Sequence, residues 1–147
     1  MKKFSLICLV LFFGVFTAAF SQKEKLVGVW QLCNNGPQVK GSNTLRPAYI
    51  WKVITKKGNF CQYWVSNENN VCTIMHDGTY KTKKNNTYIE HIKRHAFDQS
   101  IVGTTTVINY KFVNDDQVIF TFKLANKDQT YQELWARVKM KKFNSLK

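Results

Sequence analysis

Along most of this chain apolar and polar residues alternate with a period of two, the spacing of β-strands and not of amphipathic helices. The clearest example is the pair of runs Ile108, Tyr110, Phe112 and Val118, Phe120, Phe122, Leu124, whose intervening positions are mostly polar. Asn114-Asp115-Asp116 supplies a turn between them, so the two runs read as a hairpin. The same criteria predict strands over 26–33, 49–55, 59–65, 71–76, 79–83, 87–94, 104–113, 117–124 and 130–139. Turn signals separate them at Lys56-Lys57-Gly58, residues 66–70, Asp77-Gly78, Lys84-Asn85-Asn86 and Asn126-Lys127-Asp128. Residues 34–46, rich in Asn, Gly, Ser and Pro, form a longer loop, and 95–101 is a loop or a single helical turn. Consecutive hairpins without a long crossover predict an all-β, up-and-down antiparallel barrel of about 8–10 strands, with at most one short helical turn.

The N-terminus breaks the pattern. Lys2 and Lys3 precede an apolar run over 4–16, and Ala19 and Ser21 stand at the small-residue positions of a signal peptide. Cleavage is expected after Ser21, leaving residues 22–147 as one domain in the periplasm or outside the cell. The apolar run falls short of the about 20 residues of a spanning helix, so no stable membrane anchor is expected. Cys8 follows Ile7 inside that run, which does not suit lipid attachment.

Twenty-two Lys and Arg against nine Asp and Glu give +13, and the leader takes two lysines and no acid, leaving +11. Such a balance suits acidic partners or a solvated lysine surface. The lysines are scattered, and nucleic acid is not an expected partner of an exported chain of this kind. Cys33, Cys61 and Cys72 remain in the domain. With a turn over 66–70, Trp64 faces Cys72 and Cys61 faces Met75, on opposite sides of the sheet. No Cys61–Cys72 bridge is therefore expected, and the thiols read as buried apolar groups.

In a closed barrel the first and last strands are neighbours. Gly28-Val29-Trp30 lies on the first and Trp135-Ala136-Arg137 on the last. Trp30 and Arg137 are expected to stack and close one end, a contact worth about 0.5–2 kcal/mol. Tyr131, Glu133, Trp135 and Arg137 then share the inner face. The expected cavity wall is Trp51, Tyr110, Phe120, Phe122 and Trp135, although the same aromatic load fits a solid core. Glu90, Glu133 and Arg137 are the expected polar anchors, the competing reading of Glu133 being an ion pair with Arg137 at the barrel end. Lys52 and Lys111 are placed at a mouth, where they or Arg137 would meet an acidic ligand.

His76, His91 and His95 lack any metal-binding spacing, so neither metal nor other cofactor is expected. Glu90 and His91 are adjacent and point to opposite faces, which separates them as an acid–base pair. No nucleophile elbow, phosphate loop or nucleotide-binding glycine pattern is present. These features point away from an enzyme, and no catalytic residue is assigned.

The stretches Leu26-Val27-Gly28-Val29-Trp30-Gln31-Leu32, Asp77-Gly78-Thr79-Tyr80, Thr87-Tyr88-Ile89-Glu90-His91-Ile92, 104–112 and Glu133-Leu134-Trp135-Ala136-Arg137-Val138 follow the leader in this order. Together they resemble a family of small secreted bacterial lipocalin-like proteins of uncharacterised function. The resemblance spans nearly all of 22–147 and implies a lipocalin-like barrel and export. It implies no substrate. The expected function is binding of a small, largely apolar or amphipathic ligand, with an acidic head among the options, inside the barrel. The alternative is an envelope interaction protein whose barrel is a scaffold for a protein or acidic glycan.

Overall fold

A computed structural model describes residues 24–36, 48–66, 68, 71–124 and 128–139, with backbone alone for 34–36. The expected leader and most of the 34–46 loop lie outside the described residues. Eight strands follow in chain order: β1 (Gly28–Gly36), β2 (Ile50–Ile54), β3 (Asn59–Val65), β4 (Cys72–Lys83), β5 (Thr87–His95), β6 (Thr105–Asn114), β7 (Gln117–Lys123) and β8 (Thr130–Arg137). Each pairs antiparallel with the next, and β8 pairs with β1, closing an up-and-down barrel. A single 3-10 turn, Gln99–Ile101, joins β5 to β6, and the Asp98 carboxylate caps it by accepting from the Ser100 N–H at 2.9 Å.

Local chemistry explains most of the connections. Asn85 and Asn86 both adopt the left-handed conformation, with φ of 62° and 54°, as the tight turn between β4 and β5 requires. Asp115-Asp116 turns β6 into β7, with Asn114 opposite Gln117.

Two expectations are corrected. Asp77-Gly78 is no turn: it lies inside the 12-residue strand β4, at a bulge opposite β5. A Cβ at Gly78 would run into the carbonyl oxygen of His91, so glycine here permits close backbone approach and not chain reversal. Asp77 meanwhile holds the Arg94 guanidinium through two bonds of 2.8 and 2.7 Å. The β3–β4 register is also shifted, with Val65 opposite Cys72, Trp64 opposite Thr73 and Cys61 opposite Asp77. A bulge after Gln62 absorbs the extra residue. All three thiols are free, but only Cys33 is buried; Cys61 is half-buried and Cys72 exposed.

Inward-pointing side chains make the core: Trp30, Ile54, Phe60, Tyr80, Tyr88, Ile108, Tyr110, Val118, Phe120 and Trp135 among them. No described helix is long and apolar enough to cross a membrane.

Candidate functional site

The two barrel ends are built differently. At the end where β1 begins and β8 finishes, Trp30 lies directly opposite Arg137 in the ladder. The guanidinium carbon sits 4.2 Å from the indole centroid. The indole N–H donates to the Leu26 carbonyl at 2.8 Å, from a turn of chain just before β1. Arg137 donates to the carbonyls of Val27 at 2.9 Å, of Lys25, and of Asp115 at 3.3 Å. Gly28 is needed here for two reasons: its φ is +151°, and a Cβ would lie 2.5 Å from the Arg137 guanidinium. Leu26 and Trp30 are fully buried, so this end is sealed.

Above this plug lies a buried charged layer. The Lys52 ammonium donates to the Glu90 carboxylate at 2.7 Å, and both side chains are buried. The ammonium also faces the rings of Phe60, Phe120 and Trp135 at 5.6, 5.6 and 5.4 Å. A buried charge requires this kind of partnering to be tolerated. Tyr88 stacks on Phe120 at 5.7 Å. Its hydroxyl is buried beside Glu90 without a well-aligned hydrogen bond, and that carboxylate acts on it at close range. Burial first, and Glu90 second, push its ionisation well above the ordinary tyrosine range. The Tyr110 hydroxyl is buried without a partner among the described residues.

Glu133 completes the layer from β8. One of its oxygens accepts from the Trp135 indole N–H at 2.9 Å. Burial raises its pKa above the ordinary carboxyl value, with Lys52 and the indole opposing and Glu90 adding to the rise. His76 stands edge-on to Phe60 at 5.7 Å and stacks on His95 at 5.4 Å. Burial, then the charges of Lys52 and His95, lower its pKa to about 3, so the ring is neutral at ordinary pH.

Toward the other end the interior loosens. Ile50, Thr106, Phe122, Tyr131 and Glu133 occupy inward positions of their strands yet are only partly buried. Phe122 and Tyr131 stack at 6.0 Å as cross-strand partners. A surface hollow of about 720 Å³ lies beside this end, lined by the outward-facing Thr105, Val107, Asn109, Thr121 and Lys123 as well as by Thr106, Phe122 and Leu124. Apolar side chains crowd the surrounding rim: Tyr49, Trp64, Val71, Ile74, Phe97, Val102 and Leu124 are all exposed.

Of the residues expected to wall a cavity, Tyr110, Phe120 and Trp135 are buried in the interior and Phe122 packs against the core. Trp51 does not join them. It stacks at 6.3 Å on Tyr63, its partner across the β2–β3 ladder, on the face opposite to buried Lys52 and Ile54. The reason is register: Lys52 is the cross-strand partner of Trp30, and direct partners share a face. For the same reason Lys52 lies deep in the barrel and not at a mouth, while Lys111 is exposed on the outside. Glu90 and Glu133 are both interior. Arg137 is committed to carbonyls at the sealed end and makes no ion pair with Glu133 among the described residues. Glu90 and His91 are separated, the histidine being exposed. The sequence did not single out Phe60, Gln62 or Tyr88, and weighed His76 only as a metal ligand; Gln62 is a further buried polar residue facing inward from β3.

The fold and site thus define a closed eight-stranded antiparallel barrel with one plugged end and a charged, aromatic layer across its interior. The chain belongs to the family of the domain of unknown function DUF4488, whose model matches residues 25–145. No curated protein matches it.

Proposed function

We propose that this protein is an exported, lipocalin-like container that takes a small, largely apolar ligand into the barrel through the end opposite the Trp30–Arg137 plug. The observation that carries this reading is the gradient of burial along the inner wall. Trp30, Tyr88, Val118, Phe120 and Trp135 are at most 1 % exposed, whereas Glu133, Phe122, Tyr131, Thr106 and Ile50 point inward and keep accessible surface. Pockets at barrel mouths with apolar walls and a few converging polar groups are the usual form of a small-molecule site. The apolar rim supports the same direction of approach. The leader-like N-terminus supports export.

Native mass spectrometry of the protein, purified from a secreting host without detergent, tests the reading. A bound mass released on denaturation is expected. A bare mass that no panel of apolar small molecules increases would overturn it.

A second reading has its own support. The stacked Trp51–Tyr63 pair lies outside the barrel, with exposed Tyr49 on the same face of β2. That patch suits a macromolecular partner, for which the barrel would be a scaffold.

A further inference from the structure

Among the described residues the interior carries one lysine, Lys52, and two carboxylates, Glu90 and Glu133, and their arrangement bears on the chemistry of the ligand. Lys52 is bound to Glu90 at 2.7 Å, and three aromatic rings surround its ammonium. Its charge is already matched by Glu90, so an entering carboxylate gains less there than at an unpaired cation and would bring a second anion beside a buried one. Arg137 gives no alternative, because it is held at the sealed end by three backbone carbonyls. Glu133 differs from both. It is inward-facing, keeps accessible surface, and its one hydrogen bond among the described residues is from the Trp135 indole. Glu133 is the cross-strand partner of Phe120, and the neighbouring inward pair is Phe122 with Tyr131. A carboxylate beside aromatic faces is the environment in which Lys52 already sits, one layer deeper.

We infer that the ligand of this barrel carries a protonated amine, whose ammonium pairs with Glu133 against the Phe122 and Tyr131 rings while its apolar part fills the looser half of the interior. This inference rests on the container reading. The basic surface strengthens the discrimination, because a strongly positive protein repels cations from its outside and attracts anions there. Tighter binding of an amine than of an acid therefore has to come from the interior.

Dodecylamine, dodecanol and dodecanoate, each below its micellar concentration, are to be titrated into the purified protein at neutral pH by calorimetry. The expected order is amine, then alcohol, then carboxylate, with the amine at least about tenfold tighter than the alcohol, or about 1.4 kcal/mol. Glu133→Gln keeps the shape and the indole hydrogen bond, and is expected to remove the preference for the amine over the alcohol. Dodecanoate binding as tightly as the amine, or a Glu133→Gln variant that keeps the preference, would overturn the inference while the container reading stands. Failure of all three probes to bind would overturn both.

Discussion

At the scale of single residues, two contacts hold the interior together, and they make different predictions. Trp30 is fully buried, hydrogen-bonded through its indole and covered by a guanidinium. Trp30→Ala should lower the unfolding free energy by about 3–5 kcal/mol in urea titrations, the usual loss for an emptied tryptophan site. Retained full stability would show that the plug is not a structural closure. Lys52 and Glu90 behave otherwise, since their pairing offsets desolvation and gives little net gain. Lys52→Met alone should cost about 3–5 kcal/mol by stranding Glu90, and a Lys52→Met, Glu90→Leu double variant should recover most of that loss. Additive losses in this cycle would mean that the two groups are not coupled. The plug was legible in the sequence, because closure of the sheet forces the first and last strands together. The layer above it was not. Ile50-Trp51-Lys52-Val53-Ile54 has apolar residues on both faces, so alternation cannot say whether Trp51 or Lys52 points inward. Only the register with β1 decides.

At the scale of elements, strand identity followed from composition, whereas irregularities did not. β3 and the β6–β7 hairpin stand where the alternation put them, within a residue. β4 does not, because Asp-Gly is read as a turn when nothing local shows that another strand lies across it. The glycine is instead demanded by the approach of the β5 backbone at His91. Gly78→Ala should therefore destabilise the fold by about 1–3 kcal/mol through overpacking, measured by the same urea titration. A loss under about half a kcal/mol would contradict the bulge. The bulge also explains why Asp77 points at exposed Arg94 across the ladder, and why His76 and His95 come together.

At the scale of the whole molecule, basic residues cover the outside, with Lys93, Arg94 and Lys123 exposed toward the open end. Lys25, Lys56, Lys57, Lys81, Lys83 and Lys84 are all exposed around the plugged end. Their ion pairs there, such as Lys25 with Asp115 and Lys56 with Glu24, are solvent-exposed and contribute little. Two of the groups that give stability its pH dependence are inside, while the lowered pKa of Asp77, held by the Arg94 guanidinium, adds acid sensitivity from the surface. The His76 pKa falls from 6.5 to about 3 on folding, so the stability it contributes is present above about pH 6.5 and lost as pH falls toward about 3. The Glu133 carboxyl shifts the other way, so it favours the fold at low pH and disfavours it as pH rises through its raised pKa. Chemical denaturation across this range should show His76→Phe flattening the acid limb. Glu133→Gln should stabilise the protein at neutral pH and have little effect near pH 4. An unchanged acid limb in His76→Phe would place the sensitivity elsewhere.

The central claim is that the ligand lies within the barrel, and fluorine NMR of protein labelled with 5-fluorotryptophan tests it most directly. Trp135 lies in the interior layer and Trp51 on the outer wall, so the two signals separate inside from outside. On addition of dodecanol the account predicts that the Trp135 resonance shifts and saturates while that of Trp51 stays in place. A moving Trp51 with a stationary Trp135 would contradict it, and would mark the outer aromatic pair as the binding surface instead.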